Sequence, residues 1–194
     1  MIKFLSQNLM NCVLKLNLIE KEDENLYAYG AELAISYILN LIAIIIIGAV
    51  MDMMFYTIAF LIIFIPLKSY SGGYHAPNYL ICFIMSCITV AAVLYITKYG
   101  YEYVPNNILI LVMAFMGMMI YILGPIEDKN KPLTESEYTH FKYKIKIILV
   151  AEFIIAFASS IIGFDKMVFI FFCNFIVTLG VSSAGLLKNT FANV

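Results

Sequence analysis

A histidine and a cysteine seven residues apart are the side chains of this sequence best suited to covalent chemistry. They are His75 and Cys82. An imidazole beside a thiol is the minimal pair for nucleophilic catalysis, because the imidazole stabilises the thiolate and moves protons. The chain has only two histidines and four cysteines, and no cysteine pair has the C-x-x-C spacing of zinc or redox motifs. We therefore expect a thiol nucleophile that needs neither a metal nor a cofactor.

The elements around this pair must bring it together, because seven residues of straight helix separate two side chains by about 10 Å along the axis. Pro77 disfavours helix at the preceding residue and suits a first helical position. We therefore predict that His75 lies in a loop and that Cys82 lies in the second turn of the following helix. Gly72 and Gly73 would let that loop bend back toward the helix.

The composition indicates a membrane protein. Of 194 residues, 63% are hydrophobic and only 13% are charged, whereas soluble domains are nearer half apolar and a quarter charged. The apolar residues form unbroken runs, which exclude the alternation of a membrane β-barrel and indicate an all-α, polytopic integral membrane protein. The net charge of −1 gives no reason to expect a nucleic-acid partner.

Six transmembrane helices are predicted, after an amphipathic helix in residues 1–20 that lies on the membrane surface or packs on another part of the protein. The predicted spans are 31–51, 53–67, 79–97, 107–123, 145–162 and 167–187. We interpret residues 1–194 as one membrane-embedded domain, with an N-terminal helix and charged break (1–26) and a six-helix bundle (31–187). The short second span predicts either a tight hairpin near residues 48–52 or a loop recessed into the leaflet.

The lysines predict the orientation. Ten of the twelve lysines fall on the side of both termini and of the polar break at 68–78, and two fall on the other side. Because cytoplasmic loops carry the excess of cations, we expect a multi-pass cell-membrane protein with both termini and the His75–Cys82 segment in the cytoplasm. Thiols stay reduced there.

Other polar residues near the spans carry further expectations. Lys142, Lys144 and Lys146 would either bind anionic headgroups and set the topology, or dock the acidic part of a peptide. Glu152 is expected to snorkel to water near the membrane boundary. Asn40 and Asn174 are expected to bond across helices.

Two segments resemble the accessory gene regulator B family, integral membrane cysteine endopeptidases of Gram-positive quorum sensing. The first is Gly72-Gly73-Tyr74-His75-Ala76 followed by Cys82, which is similar to the family signature. The second is residues 124–133, in which two prolines enclose a centre rich in lysine and asparagine. With the chain length and the order of apolar segments, the resemblance covers essentially the whole chain.

The resemblance implies that the protein cleaves a short, amphipathic precursor signal peptide with an acidic end. It implies a thioester acyl-enzyme and closure of a thiolactone or lactone ring, with Cys82 and His75 as the catalytic pair. Gly73 matches a glycine that the family requires. Lys68 stands where members often have arginine. Lysine keeps the positive charge but lacks the planar guanidinium, which can position a substrate carboxylate through two parallel hydrogen bonds.

Other readings of the same residues stay open. One is a small polytopic permease or peptide exporter without proteolytic activity, and another is a membrane scaffold with an incidental cysteine. Besides the peptide and the lipid bilayer, a second copy of the chain is a plausible partner.

Overall fold

A computed structural model describes residues 24–74, 76–127 and 133–191, and these form six α-helices. In chain order they are α1 (Glu24–Val50), α2 (Met54–Ser71), α3 (Tyr79–Gly100), α4 (Asn106–Leu123), α5 (Glu135–Ile162) and α6 (Asp165–Phe191). These ranges contain no strand, only an isolated parallel bridge between Gly72 and Ile126. The all-α prediction is confirmed, and the predicted surface helix at 1–20 lies outside the described residues.

All six helices are long and apolar enough to cross a membrane. Even the shortest have 18 residues and rise about 27 Å, close to the ~30 Å of a hydrocarbon core. Large apolar side chains such as Ile62, Leu111 and Ile161 are exposed on the outer faces of the helices. Because water would not solvate so much apolar surface, lipid is its solvent. The polytopic membrane class predicted from composition is confirmed.

Helix α6 forms the centre of the bundle. It packs against α2, α3, α4 and α5, and half of its most apolar stretch is buried, a larger share than in any of the other five spans. Phe171 and Phe175 on α6 are almost fully buried, as are Phe60 on α2 and Met113 on α4. Helix α1 packs against α2 and α3. Because α6 contacts four helices, it can position residues from several of them.

Contacts between connecting segments define the two ends of the bundle. At one end, which we call the loop end, residues 72–74 and 124–127 meet the last turns of α6, where Asn189 Nδ2 donates to the Glu127 carbonyl at 2.8 Å. At the other end, the hairpin end, Lys98 Nζ donates to the Met51 carbonyl at 2.7 Å. There Asn106 Nδ2 also donates to Asp165 Oδ1 at 2.6 Å. Hydrogen bonds between these segments therefore hold both ends of the bundle together.

The second span differs from its predicted bounds. Helix α2 continues through Lys68 to Ser71, so the polar break begins at Gly72 and not at Lys68. The helix ends there because Gly72 has a positive φ of 71°, a conformation that favours glycine. Of the two arrangements predicted for this short span, the tight hairpin is present, with the Met53 amide donating to the Gly48 carbonyl at 2.9 Å.

The fifth span begins earlier than the sequence predicted. Helix α5 starts at Glu135, ten residues before the predicted start at Ile145. Its first turn is closed by a capping box, in which Thr134 accepts from the Glu137 amide and the Glu137 carboxylate accepts from the Thr134 amide. The prediction was wrong because it followed hydropathy alone and missed this cap. Residues 135–144 are therefore helical and not part of a loop.

Two polar residues of α5 and α6 meet inside the bundle. Glu152 is buried, and its Oε2 accepts a 2.9 Å hydrogen bond from Asn174 Nδ2. The expectation that Glu152 snorkels to water is wrong. Helix α5 starts ten residues before its predicted start, so Glu152 lies in the middle of the helix and not near its first turns. The expected cross-helix bond of Asn174 is confirmed, whereas Asn40 Oδ1 has no hydrogen-bond partner among the described residues.

Candidate functional site

Two consecutive glycines shape the segment after α2. Gly72 and Gly73, with φ angles of 71° and 114°, adopt conformations that side chains disfavour. A Cβ on Gly72 would overlap the Ile126 carbonyl, and one on Gly73 would lie 2.6 Å from the Val181 carbonyl oxygen. Both positions therefore require glycine, for backbone conformation and for space. We call residues 72–74 the glycine loop.

The glycine loop is held between two other segments of the chain. On one side the Ile126 amide donates to the Ser71 carbonyl at 2.9 Å, and on the other the Tyr74 amide donates to the Val181 carbonyl at 2.9 Å. Helix α6 allows this approach because Gly185 faces the loop: a Cβ there would lie 2.5 Å from the Gly73 Cα. The loop is thus a fixed support between α2 and α3.

Lys68 connects the glycine loop with the candidate nucleophile. From the last turn of α2, its Nζ donates to the Gly72 carbonyl at 2.6 Å. The same ammonium interacts electrostatically with the Cys82 side chain. The Lys68 ammonium is therefore bonded to the glycine loop and lies within electrostatic range of the start of α3.

Cys82 is the fourth residue of α3 and is an exposed free thiol. Asn78 caps the helix through its Oδ1, which accepts from the Ile81 amide at 2.8 Å, and the Cys82 amide donates to the Asn78 carbonyl at 3.1 Å. The thiol therefore lies near a helix N-terminus, where unpaired amides favour negative charge. Ser86 Oγ bonds to the Cys82 carbonyl at 2.9 Å and does not orient the sulfur.

The other described cysteines are less suited to nucleophilic attack. Cys87 is only partly exposed and lies about 140° around α3 from Cys82. Cys173 is buried in α6. His75 lies outside the described residues, so the predicted approach of its imidazole to Cys82 stays a prediction.

The three lysines proposed for peptide docking separate on α5. Lys142 and Lys146 are four residues apart and share a helix face, whereas Lys144 points about 160° away. The Lys142 ammonium donates to the carbonyls of Tyr121, Ile122 and Gly124, so it caps the C-terminus of α4. Lys146 is exposed and lines the mouth of a groove.

That groove runs between α4, α5 and α6. Its volume is about 460 Å³, its walls are mostly apolar, and Gly117, Phe153 and Phe175 line it. A second hollow of about 310 Å³ adjoins it at the loop end and shares Tyr121 and Lys146 with it. Neither is lined by Cys82. The arrangement suits an amphipathic molecule with an apolar body and an anionic end.

Several residues of the site were not singled out from the sequence. They are the α6 residues under the glycine loop, Val181, Ser182 and Gly185, and the bridge residue Ile126. Small residues on a transmembrane helix are a signal for close backbone approach, and Gly185 carries that signal. Nothing in the spacing indicates that the partner is a loop and not a helix. In the described ranges, no group of three or more histidine, cysteine or acidic side chains converges as metal ligands do.

The fold and site define a polytopic helical membrane protein with a cysteine at a glycine-supported helix start. The chain belongs to the Accessory gene regulator B family, whose profile matches residues 1–187. Two AgrB-like proteins of Clostridium perfringens, from strains 13 and SM101, are each 26% identical to it over 145 residues. Each match covers 70% of this chain and 66% of the relative, slightly under two thirds of the relative's length. No solved structure shows significant similarity to the chain.

Proposed function

We propose that this protein is a membrane cysteine endopeptidase that processes a short precursor peptide into a cyclic quorum-sensing signal. Family membership supports the involvement in peptide processing. The observation that carries the chemistry is the position of Cys82, an exposed free thiol in the first turns of α3, with the Lys68 ammonium bonded to the Gly72 carbonyl of the preceding loop. A cation beside a cysteine near a helix N-terminus attracts the negative charge of a thiolate.

The reaction starts with attack of the Cys82 sulfur on a peptide carbonyl. The tetrahedral intermediate collapses to a thioester as the C–N bond breaks, and the leaving amine takes a proton from the imidazolium of His75. A thiol or hydroxyl of the bound N-terminal fragment then attacks the thioester. That step regenerates the Cys82 thiol and closes a thiolactone or lactone ring.

The peptide would lie along the membrane surface at the loop end. Its amphipathic part matches the apolar groove between α4, α5 and α6, and its acidic part matches the exposed Lys146 at the groove mouth. The excess of lysine at the loop end supports a cytoplasmic orientation of this end in the cell membrane. A homodimer stays a prediction.

Cleavage by purified protein in lipid vesicles tests the proposal. The precursor peptide is incubated with wild type, Cys82→Ala, His75→Ala and the matched control Cys87→Ala, and the fragments are identified by mass spectrometry. We expect cleavage by wild type and Cys87→Ala only, because Cys87 lies on another face of α3. Cleavage by Cys82→Ala would contradict the proposal, and transport of intact peptide without cleavage would favour an exporter.

A further inference from the structure

A row of buried polar side chains follows one face of α6. Asn174, Thr178 and Ser182 are spaced four residues apart and are 0%, 0% and 1% exposed. Residues four apart on a helix share a face and rise about 6 Å per step. The row therefore extends about 12 Å through the interior of a bundle whose outer faces are apolar. We call it, together with Glu152 of α5, the polar track.

Glu152 forms the deep end of the polar track. It is 4% exposed and accepts a hydrogen bond from Asn174 at 2.9 Å. The residue lies ten positions before the end of α5 at Ile162, which is about 15 Å, half the thickness of a hydrocarbon core. A carboxyl group is therefore enclosed near the membrane midplane. Ionisable groups at that depth are rare and are associated with function.

The loop end of the track meets the glycine loop. A Cβ built on Gly73 would lie 3.0 Å from the Ser182 Cα, so the loop backbone covers α6 at this position. Ser71, the residue before the glycine loop, is also fully buried. The track thus extends from the membrane midplane to the glycine loop, whose Gly72 carbonyl accepts a hydrogen bond from the Lys68 ammonium.

Unpartnered polar atoms occur at every step of the track. One side-chain oxygen of each of these residues is buried and has no hydrogen-bond partner in the described part of the chain: Glu152 Oε1, Asn174 Oδ1, Thr178 Oγ1, Ser182 Oγ and Ser71 Oγ. Buried polar groups in native proteins are almost always bonded, and internal water is the usual partner when protein groups are missing. Four such atoms along the track, with a fifth on Ser71 next to the glycine loop, indicate a common occupant rather than separate defects.

We propose that the polar track holds a file of internal water that connects the glycine loop with Glu152, and that Glu152 is present there as an uncharged carboxylic acid. Within the described ranges its one hydrogen bond comes from a neutral amide, and burial disfavours an ionised group that has no cation beside it. Water along the track gives the Glu152 proton a route of exchange with the loop end. The inference does not depend on Cys82 being a nucleophile.

Infrared spectroscopy of the full chain in lipid vesicles tests both parts of the proposal. A protonated carboxylic acid gives a C=O stretching band that carboxylates lack, and ordinary Asp and Glu residues are ionised at pH 7. We expect such a band in wild type, a shift of the band within minutes of transfer to D₂O, and loss of the band in Glu152→Gln. Glu32→Gln removes a partly exposed carboxyl group on α1, so it is the control and should keep the band. Wild type without the band would show a charged Glu152, and a band unshifted after hours would show a dry track.

A second pair of variants tests the route of exchange. Thr178→Val keeps the shape of the side chain and removes its hydroxyl, so deuteration of the Glu152 band should slow severalfold. Thr57→Val is the matched control, because the Thr57 hydroxyl already bonds to the Met53 carbonyl at 2.9 Å away from the track. Its exchange rate should equal that of wild type. Equal rates in Thr178→Val and wild type would contradict a water file along α6.

Discussion

At the scale of single residues, Lys68 is the side chain that connects the parts of the site. One donor of its ammonium bonds to the Gly72 carbonyl at 2.6 Å, and the ammonium lies within electrostatic range of Cys82. A hydrogen bond to one carbonyl oxygen needs a single donor and does not require the planar guanidinium of arginine. Lysine is therefore sufficient for this contact.

Substitution of Lys68 should separate the role of its charge from that of its length. Lys68→Met keeps a long flexible chain and removes both the bond to Gly72 and the charge, so we expect kcat for peptide cleavage to fall by at least about tenfold, equivalent to ~1.4 kcal/mol of barrier. Lys68→Arg should keep most of the rate. Steady-state kinetics on the precursor peptide measure both. An unchanged rate in Lys68→Met would exclude Lys68 from the chemistry.

The candidate chemical groups of the site could be picked out from residue types, whereas the contacts that support them could not. His75, Cys82 and the glycines can be recognised locally, because a thiol, an imidazole and a positive-φ turn each have a characteristic residue. The bond from Lys68 to Gly72 depends on α2 continuing to Ser71. The contact with Val181 depends on tertiary packing more than a hundred residues away. Neither of these two contacts can be recognised from a pattern in the local sequence.

At the scale of elements, α6 acts as the platform on which the glycine loop rests. Its Val181 carbonyl accepts the Tyr74 amide at 2.9 Å. Gly185 leaves the space that the Gly73 backbone fills. The conformation of the loop is thus set jointly by its own glycines and by a helix from the other end of the sequence.

An alanine pair on α6 tests this contact. In Gly185→Ala the new Cβ would lie 2.5 Å from the Gly73 Cα, so the loop must shift, at a cost of about 1–3 kcal/mol. We expect a lower melting temperature and a strong loss of peptide cleavage. Gly180→Ala is the matched control, because nothing lies within 4 Å of its Cβ. Equal behaviour of the two variants would show that α6 does not support the loop.

The early start of α5 changes the interpretation of its three lysines, Lys142, Lys144 and Lys146. A hydropathy profile detects the apolar stretch from Ile145 and not the polar turns before it, although Thr134 and Glu137 have the spacing of a capping box. Once residues 135–144 are helical, Lys142 reaches back to cap α4, and Lys146 faces the groove. Lys144 points elsewhere.

The lysine positions on α5 predict different effects on peptide binding. Lys146→Gln should raise the KM for the precursor severalfold and leave kcat nearly unchanged, because Lys146 lines the groove mouth away from Cys82. Lys144→Gln, on another face of the helix, should leave both constants unchanged and serves as the control. If Lys144→Gln raises KM as much as Lys146→Gln, general attraction of the peptide to cationic surface explains binding better than the groove does.

At the scale of the whole molecule, the six helices could be predicted from composition and apolar runs, because each span must satisfy its backbone internally and present apolar side chains to lipid. Their order in the bundle could not, since helices in lipid associate through shape and small residues and not through a hydrophobic face. The central position of α6 is a consequence of such packing.

The orientation of the molecule is testable by thiol labelling in intact cells. In a background with all four native cysteines replaced, Tyr103→Cys at the hairpin end and Ser136→Cys at the loop end are both exposed positions. We expect a membrane-impermeant maleimide to label Tyr103→Cys directly and Ser136→Cys only after permeabilisation, because cytoplasmic segments carry the excess of lysine. The reverse pattern would place Cys82 outside the cell.

The most direct test of the account is the detection of a covalent intermediate on Cys82. Wild-type protein mixed with precursor peptide and quenched rapidly in acid is analysed by intact-mass and peptide-mapping mass spectrometry. We predict that Cys82 carries an adduct with the mass of the acyl group formed by the N-terminal fragment. Hydroxylamine should remove this adduct, because it cleaves thioesters. The adduct should be present in Cys87→Ala and absent in Cys82→Ala. Continued cleavage of the peptide by Cys82→Ala, or an adduct on a different residue, would contradict the account.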